Sequence, residues 1–124
     1  MTLSTGLTIA EAARATGLST YTLRYYERVG LIDGVDRADS GHRRYDEWDL
    51  RWIETLQCLR ATGMPIQRVR RYAELVRDGQ GNERDRLALL EEHRAAVKTR
   101  LAEVQKHLAF IEQKIARYEE TLDG

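Results

Sequence analysis

Apolar positions recur with helical spacing in five stretches of the chain, and glycine or proline stands at the joints between most of them. The pattern predicts two short helices over 8–16 and 19–29, with Gly17 at the turn between them and Ser19 as N-cap of the second. A third is expected over 46–62, stopping at Gly63. A fourth opens near Pro65, which suits a first helical turn because it has no N–H to leave unpaired. Ile66, Val69, Ala73 and Val76 give that fourth helix its apolar stripe. The intervening segment IDGVDRADSGHRRY is too interrupted by glycine for a helix; it reads as a hairpin with strands near 32–37 and 42–45 around a turn at Asp39-Ser40-Gly41. Beyond the Gly79-Gln80-Gly81 break, Val97, Leu101, Val104, Leu108, Ile111, Ile115, Tyr118 and Leu122 recur at alternating steps of four and three, a heptad seam. Upstream it takes in Leu87 and Leu90 but meets Arg94. A chain this small offers little surface to cover such a stripe, which argues for the same helix in a second copy; folding back onto the first domain is the alternative. The expected architecture is mainly α, with a first domain over 1–78 and a long helix over 79–124.

Helical geometry sorts the second helix into two faces. At 100° per residue, Thr22, Leu23 and Tyr26 fall on the side that must pack against the first helix, while Tyr21, Arg24, Tyr25 and Arg28 share the opposite arc. Two guanidinium groups and two phenols projecting together suit a face that reads DNA, and Thr20 at the head of the same helix is grouped with them. Ala13, Gly17 and Leu23 have the spacing of a helix-turn-helix: a small residue for close approach, a glycine for the turn and an apolar anchor. Arg43 and Arg44 place basic charge on the hairpin, although strand alternation sends them to opposite faces.

Composition narrows the function classes more than it names one. The net charge is zero, 20 basic against 20 acidic residues, so nucleic-acid binding can rest only on local patches. All 12 basic residues through Asp78 are arginine, whose planar fork suits phosphate and guanine. No apolar run reaches the roughly 18 residues that cross a bilayer, and no leader segment is evident, so a cytoplasmic location without membrane contact is expected. A lone cysteine supplies neither an internal disulfide nor a zinc finger. His42, His93 and His107 are scattered and read as surface residues. With no glycine-rich phosphate loop and no nucleophile beside a base, neither an enzyme nor a bound cofactor or metal is expected.

The runs LTIAEAARATGLSTYTLRYYERVGLI, SGHRRYDEWDL and LRATGMPIQRVRRY resemble the MerR family of bacterial transcription regulators along essentially the whole chain. That resemblance implies a winged helix-turn-helix with an antiparallel coiled-coil homodimer, binding a palindrome in promoter DNA and distorting an overlong spacer for RNA polymerase. Arg24, Tyr25 and Arg43 match family positions that contact DNA, and Arg60 matches a basic position near the backbone. The chain departs from the family pattern with Gly34-Val35 where a proline is common and His42 where an aromatic is common, which bears on wing shape. A structural coiled-coil adaptor and an architectural DNA-bending protein are the rival readings.

Little follows the long helix, and a single thiol disfavours the soft-metal and cluster-sensing branches. The chain looks most like the aldehyde- and thiol-stress branch of NmlR- and AdhR-like regulators, whose members carry a cysteine at the position of Cys58. This implies a stress-response role with a small electrophile as inducer. On the third helix Trp48, Trp52, Leu56 and Leu59 form the apolar face, and Cys58 lies roughly 130° from its centre. Its own core is therefore excluded, and sensing, packing against a partner and an incidental position stay open. Glu54 and the nearby helix end disfavour a thiolate, Arg51 helps weakly, and His93 or Arg94 of a second copy are candidate basic neighbours.

Overall fold

The computed structural model describes residues 6–32 and 44–124. Among these the chain forms five helices: α1 (Ile9–Thr16), α2 (Thr20–Arg28), α3 (Glu47–Ala61), α4 (Ile66–Asp78) and α5 (Glu83–Asp123). It comprises two compact units, Met1–Arg86 and Leu87–Gly124. The hairpin expected between α2 and α3, with Arg43 and His42, lies outside the described residues except at its margins. There Ile32 is a buried bend, and Tyr45 makes an isolated antiparallel bridge with Leu7, their N–H groups donating across at 2.7 and 2.8 Å.

In the first unit the helix ends are written locally. Thr8 and Glu11 form a capping box at the head of α1: the Glu11 N–H donates to Thr8 Oγ1 at 3.1 Å and the Thr8 N–H to Glu11 Oε1 at 2.8 Å. Gly17 ends α1 at φ 78, a left-handed conformation that costs a side-chain-bearing residue about 1 kcal/mol. Ser19 Oγ then accepts the Thr22 N–H at 3.0 Å and starts α2. Asp46 and Asp49 repeat the box at α3, at 2.8 and 2.9 Å, which explains why Asp49 is buried although it is charged.

α1 packs on α2 and on α3, and α3 packs on α4. Ala12, Leu23, Ile53, Leu56 and Val69 meet at the centre of this arrangement, and Tyr45 and Met64 close it. Burying leucine, isoleucine, valine and methionine side chains such as these stabilises the unit by about 1.5–3 kcal/mol each, and the small Ala12 lets the helices approach. Two positions differ from the helical-wheel expectation. Trp48 is 55% exposed and stacks on Trp52 with ring centroids 5.9 Å apart, while Ile53 takes a central place in the core. The reason is that α3 is clasped by α1 and α4, so its buried arc is wider than one stripe and takes in Ile53 beside Trp52 and Leu56. In α4 Leu75 is buried beside Val69 and Ala73, with Ile66 and Val76 half-buried at the margins.

The second unit is the remainder of α5. Leu101, Val104, Leu108, Ile111, Ile115, Tyr118 and Leu122 are all exposed in the single chain, and Val97 is half-buried. Among the described residues no helix is long and apolar enough to cross a membrane.

Candidate nucleic-acid interface

α2 presents the face that the wheel assigns to it. Leu23 and Tyr26 are buried, which fixes the helix's rotation, and Tyr21 stands 72% exposed with Arg24 and Arg28 also exposed. Tyr25 is half-buried, with its ring 6.2 Å from that of Tyr26, and the Arg28 guanidinium lies 5.7 Å over the Tyr25 ring. That cation–π contact restrains the guanidinium without consuming its donors, so the fork stays available for an acceptor pair such as guanine O6 and N7. Thr20 is half-buried at the head of the helix.

The remaining basic candidates come from other elements. Arg44 is half-buried and its Nη1 donates to the Gly6 carbonyl at a long 3.4 Å. Arg60 is exposed at the end of α3, where its Nη1 donates to the Met64 carbonyl at 2.7 Å and so ties down the turn into α4. Arg43 lies outside the described residues. The structure thus brings Tyr21, Arg24, Tyr25 and Arg28 onto one face.

Cys58 is exposed, on the outward side of α3 with Glu54. Its carbonyl accepts the Thr62 N–H at 3.0 Å and the Thr62 hydroxyl at 2.7 Å, so the last turn of α3 is closed immediately beneath the thiol. Glu11 is held below the usual carboxylate value chiefly by the Thr8 N–H, with the Thr8 hydroxyl and Arg14 adding to it. Glu83, at the head of α5, is lowered in the same way by its own N–H and that of Gly81.

Several residues that orient α2 escape a helical wheel. Trp52 Nε1 donates to the Leu31 carbonyl at 2.7 Å, Tyr45 donates its hydroxyl to Glu27 Oε2 at 3.3 Å, and Arg77 Nη2 donates to the Gly30 carbonyl at 2.6 Å. Gln57 Nε2 donates to the Thr16 carbonyl at 2.8 Å and joins α3 to the end of α1. The one advance signal for any of these is chemical: a tryptophan on an apolar face needs an acceptor for its ring N–H.

Two short helices joined at a glycine turn, the second aiming arginines and tyrosines outward from a core of two further helices, define a helix-turn-helix DNA-binding protein. Residues 7–75 match the model of the MerR HTH family regulatory protein, and the chain belongs to that family of transcription regulators. It is 42% identical over 91 residues to an uncharacterized HTH-type transcriptional regulator of Haemophilus influenzae, covering 73% of this chain and 67% of the relative. To the HTH-type transcriptional regulator AdhR of Bacillus subtilis it is 44% identical over 88 residues, covering 71% of this chain and 63% of the relative. Among solved structures it is similar, with a TM-score of 0.86 and 39% identity over 93% of this chain and 91% of the other, to HiNmlR. That protein is a MerR family regulator lacking the sensor domain, in a crystal structure bound to promoter DNA. The fold expectation of a mainly helical regulator with a long dimerisation-type helix holds on these matches.

Proposed function

We propose that this chain acts in the cytoplasm as a homodimer, joined through the α5 seam, that binds a promoter palindrome and distorts its spacer for RNA polymerase. The observation that carries the reading is the outward face of α2, where Tyr21, Arg24 and Arg28 are exposed and Leu23 beneath them is fully buried. In this reading Tyr21, Arg24, Tyr25 and Arg28 meet base edges with Thr20 at the entry, while Arg43, Arg44 and Arg60 contact the backbone and fix register. The antiparallel pairing would cover Val97, Leu101, Val104, Leu108, Ile111, Ile115 and Tyr118. Two half-sites held by one dimer offset the several kcal/mol that deforming a short duplex costs. The similarity to a MerR family regulator in a crystal structure bound to promoter DNA supports promoter binding by this chain.

Cys58 is the proposed receptor for a reactive aldehyde. Its sulfur adds to the carbonyl carbon as the C=O π bond opens and a proton passes to oxygen, giving a hemithioacetal. Exposure of the thiol supports this role. An adduct regulates only if it favours the distorting state over the other, since equal affinity for both shifts nothing.

In vitro transcription from the chain's own promoter, with and without a reactive aldehyde and with Cys58→Ser beside wild type, tests both levels. Aldehyde-dependent transcription by wild type that Cys58→Ser abolishes is expected. An undiminished aldehyde response in Cys58→Ser contradicts the sensor role, and no effect of the chain on transcription contradicts the regulator reading.

A further inference from the structure

A recognition helix must be held as well as aimed, and α2 is held at its C-terminal end from three places. The helix closes through Gly30 at φ 84, with the Leu31 N–H returning to the Tyr26 carbonyl at 2.8 Å. A helix ending this way leaves the carbonyls of the closing residues to be satisfied from outside the helix. The Leu31 carbonyl takes the Trp52 ring N–H and the Gly30 carbonyl takes the Arg77 guanidinium, while Tyr45 reaches Glu27 one turn earlier. Trp52 and Tyr45 are buried and fill the core in addition to donating. Arg77 is exposed, so its contribution here rests on a 2.6 Å charge-assisted bond that spans 47 positions of sequence. It also stands in the last turn of α4, next to Asp78 and Gly79, where the chain leaves for α5.

We propose that Arg77 is a positioning residue for DNA recognition. Its guanidinium fastens the end of α2 to the end of α4 and thereby sets the attitude of the reading face from the junction that leads into α5. The inference rests on α2 being the recognition helix. Without the bond the end of α2 samples other orientations, and operator affinity falls in proportion to the fraction still aligned. Phosphate contacts made elsewhere are untouched, so binding to random DNA and the salt dependence stay as they were. This distinguishes Arg77 from an arginine that touches DNA.

The test is fluorescence anisotropy on a duplex enriched by the wild-type chain and on a random duplex, across a salt series, for Arg77→Met, Arg77→Lys and Arg24→Ala. The Met variant keeps the aliphatic stem and loses the donor. It is expected to bind the operator on the order of fivefold more weakly, the value of one hydrogen bond, with unchanged random-DNA binding and unchanged slope. Lysine, which keeps a donor, is expected to recover part of the loss. Unaltered operator affinity in Arg77→Met overturns the proposal. So does a parallel loss on both duplexes with a slope lower by about one, which marks a phosphate contact. Amide hydrogen exchange gives an independent reading without DNA. In Arg77→Met the Gly30 and Leu31 amides should open faster while α3 keeps its protection, and unchanged exchange at those amides overturns the proposal as well. Arg24→Ala separates the two levels: if it leaves operator binding intact, the recognition-helix reading fails whatever Arg77 does.

Discussion

Thr8 and Glu11 show how much of this protein is decided three residues at a time. Glu11 is charged where it accepts the Thr8 N–H, and that bond holds its carboxyl below the ordinary value of 4.5. A carboxylate lowered in the folded state adds stability that is present above its unfolded pKa and lost as pH falls through the folded one. Urea unfolding of wild type and Glu11→Gln should therefore differ at neutral pH and converge in acid, because glutamine keeps the acceptor geometry without the charge. A difference that stays constant or widens in acid would contradict the assignment. Capping of this kind was legible in advance at Ser19, since it needs only a hydroxyl and its own backbone. Trp48 was not legible, because an exposed tryptophan stacked on Trp52 and a buried one occupy the same arc of a helical wheel.

At the scale of the helices, the buried and exposed faces of α2 follow from spacing alone, since Leu23 and Tyr26 have one core to meet. What anchors α2 was hidden, because Trp52, Tyr45 and Arg77 act across 21, 18 and 47 positions of sequence. Such bonds depend on how elements assemble, and no local period records them. Trp52→Phe isolates one of them: it keeps most of the ring and removes the N–H, leaving a buried carbonyl without that donor. Chemical denaturation should register a loss of about 1–3 kcal/mol. A change well under 0.5 kcal/mol would mean that water or a shifted neighbour replaces the indole. α3 carries the clearest separation of roles, with Leu56 and Leu59 buried in the domain while Cys58 between them in sequence is exposed. The wheel located that thiol correctly; its chemistry depends on surroundings that one helix does not supply.

At the scale of the molecule, the five helices among the described residues and the break before the last were legible because their boundaries are marked by glycine, proline and capping side chains. The segment expected to form a basic hairpin, with Arg43, lies outside the described residues. The exposed seam of α5 and the outward face of α2 are the two surfaces that the proposed dimer joins into one reader. A twofold-symmetric protein imposes its symmetry on the DNA that it selects, so the sequence of a preferred site reports oligomeric state and reading helix together. The direct measurement is selection of binding sites from a random duplex pool by the purified chain, with Leu108→Lys and Tyr21→Ala run beside it. Wild type should enrich a palindrome with two equal half-sites. Leu108→Lys, which puts charge in the seam, should lose the second half-site, and Tyr21→Ala should keep the spacing but change the preferred bases. Enrichment of a single unsymmetric site by wild type, or of no site at all, would contradict the account.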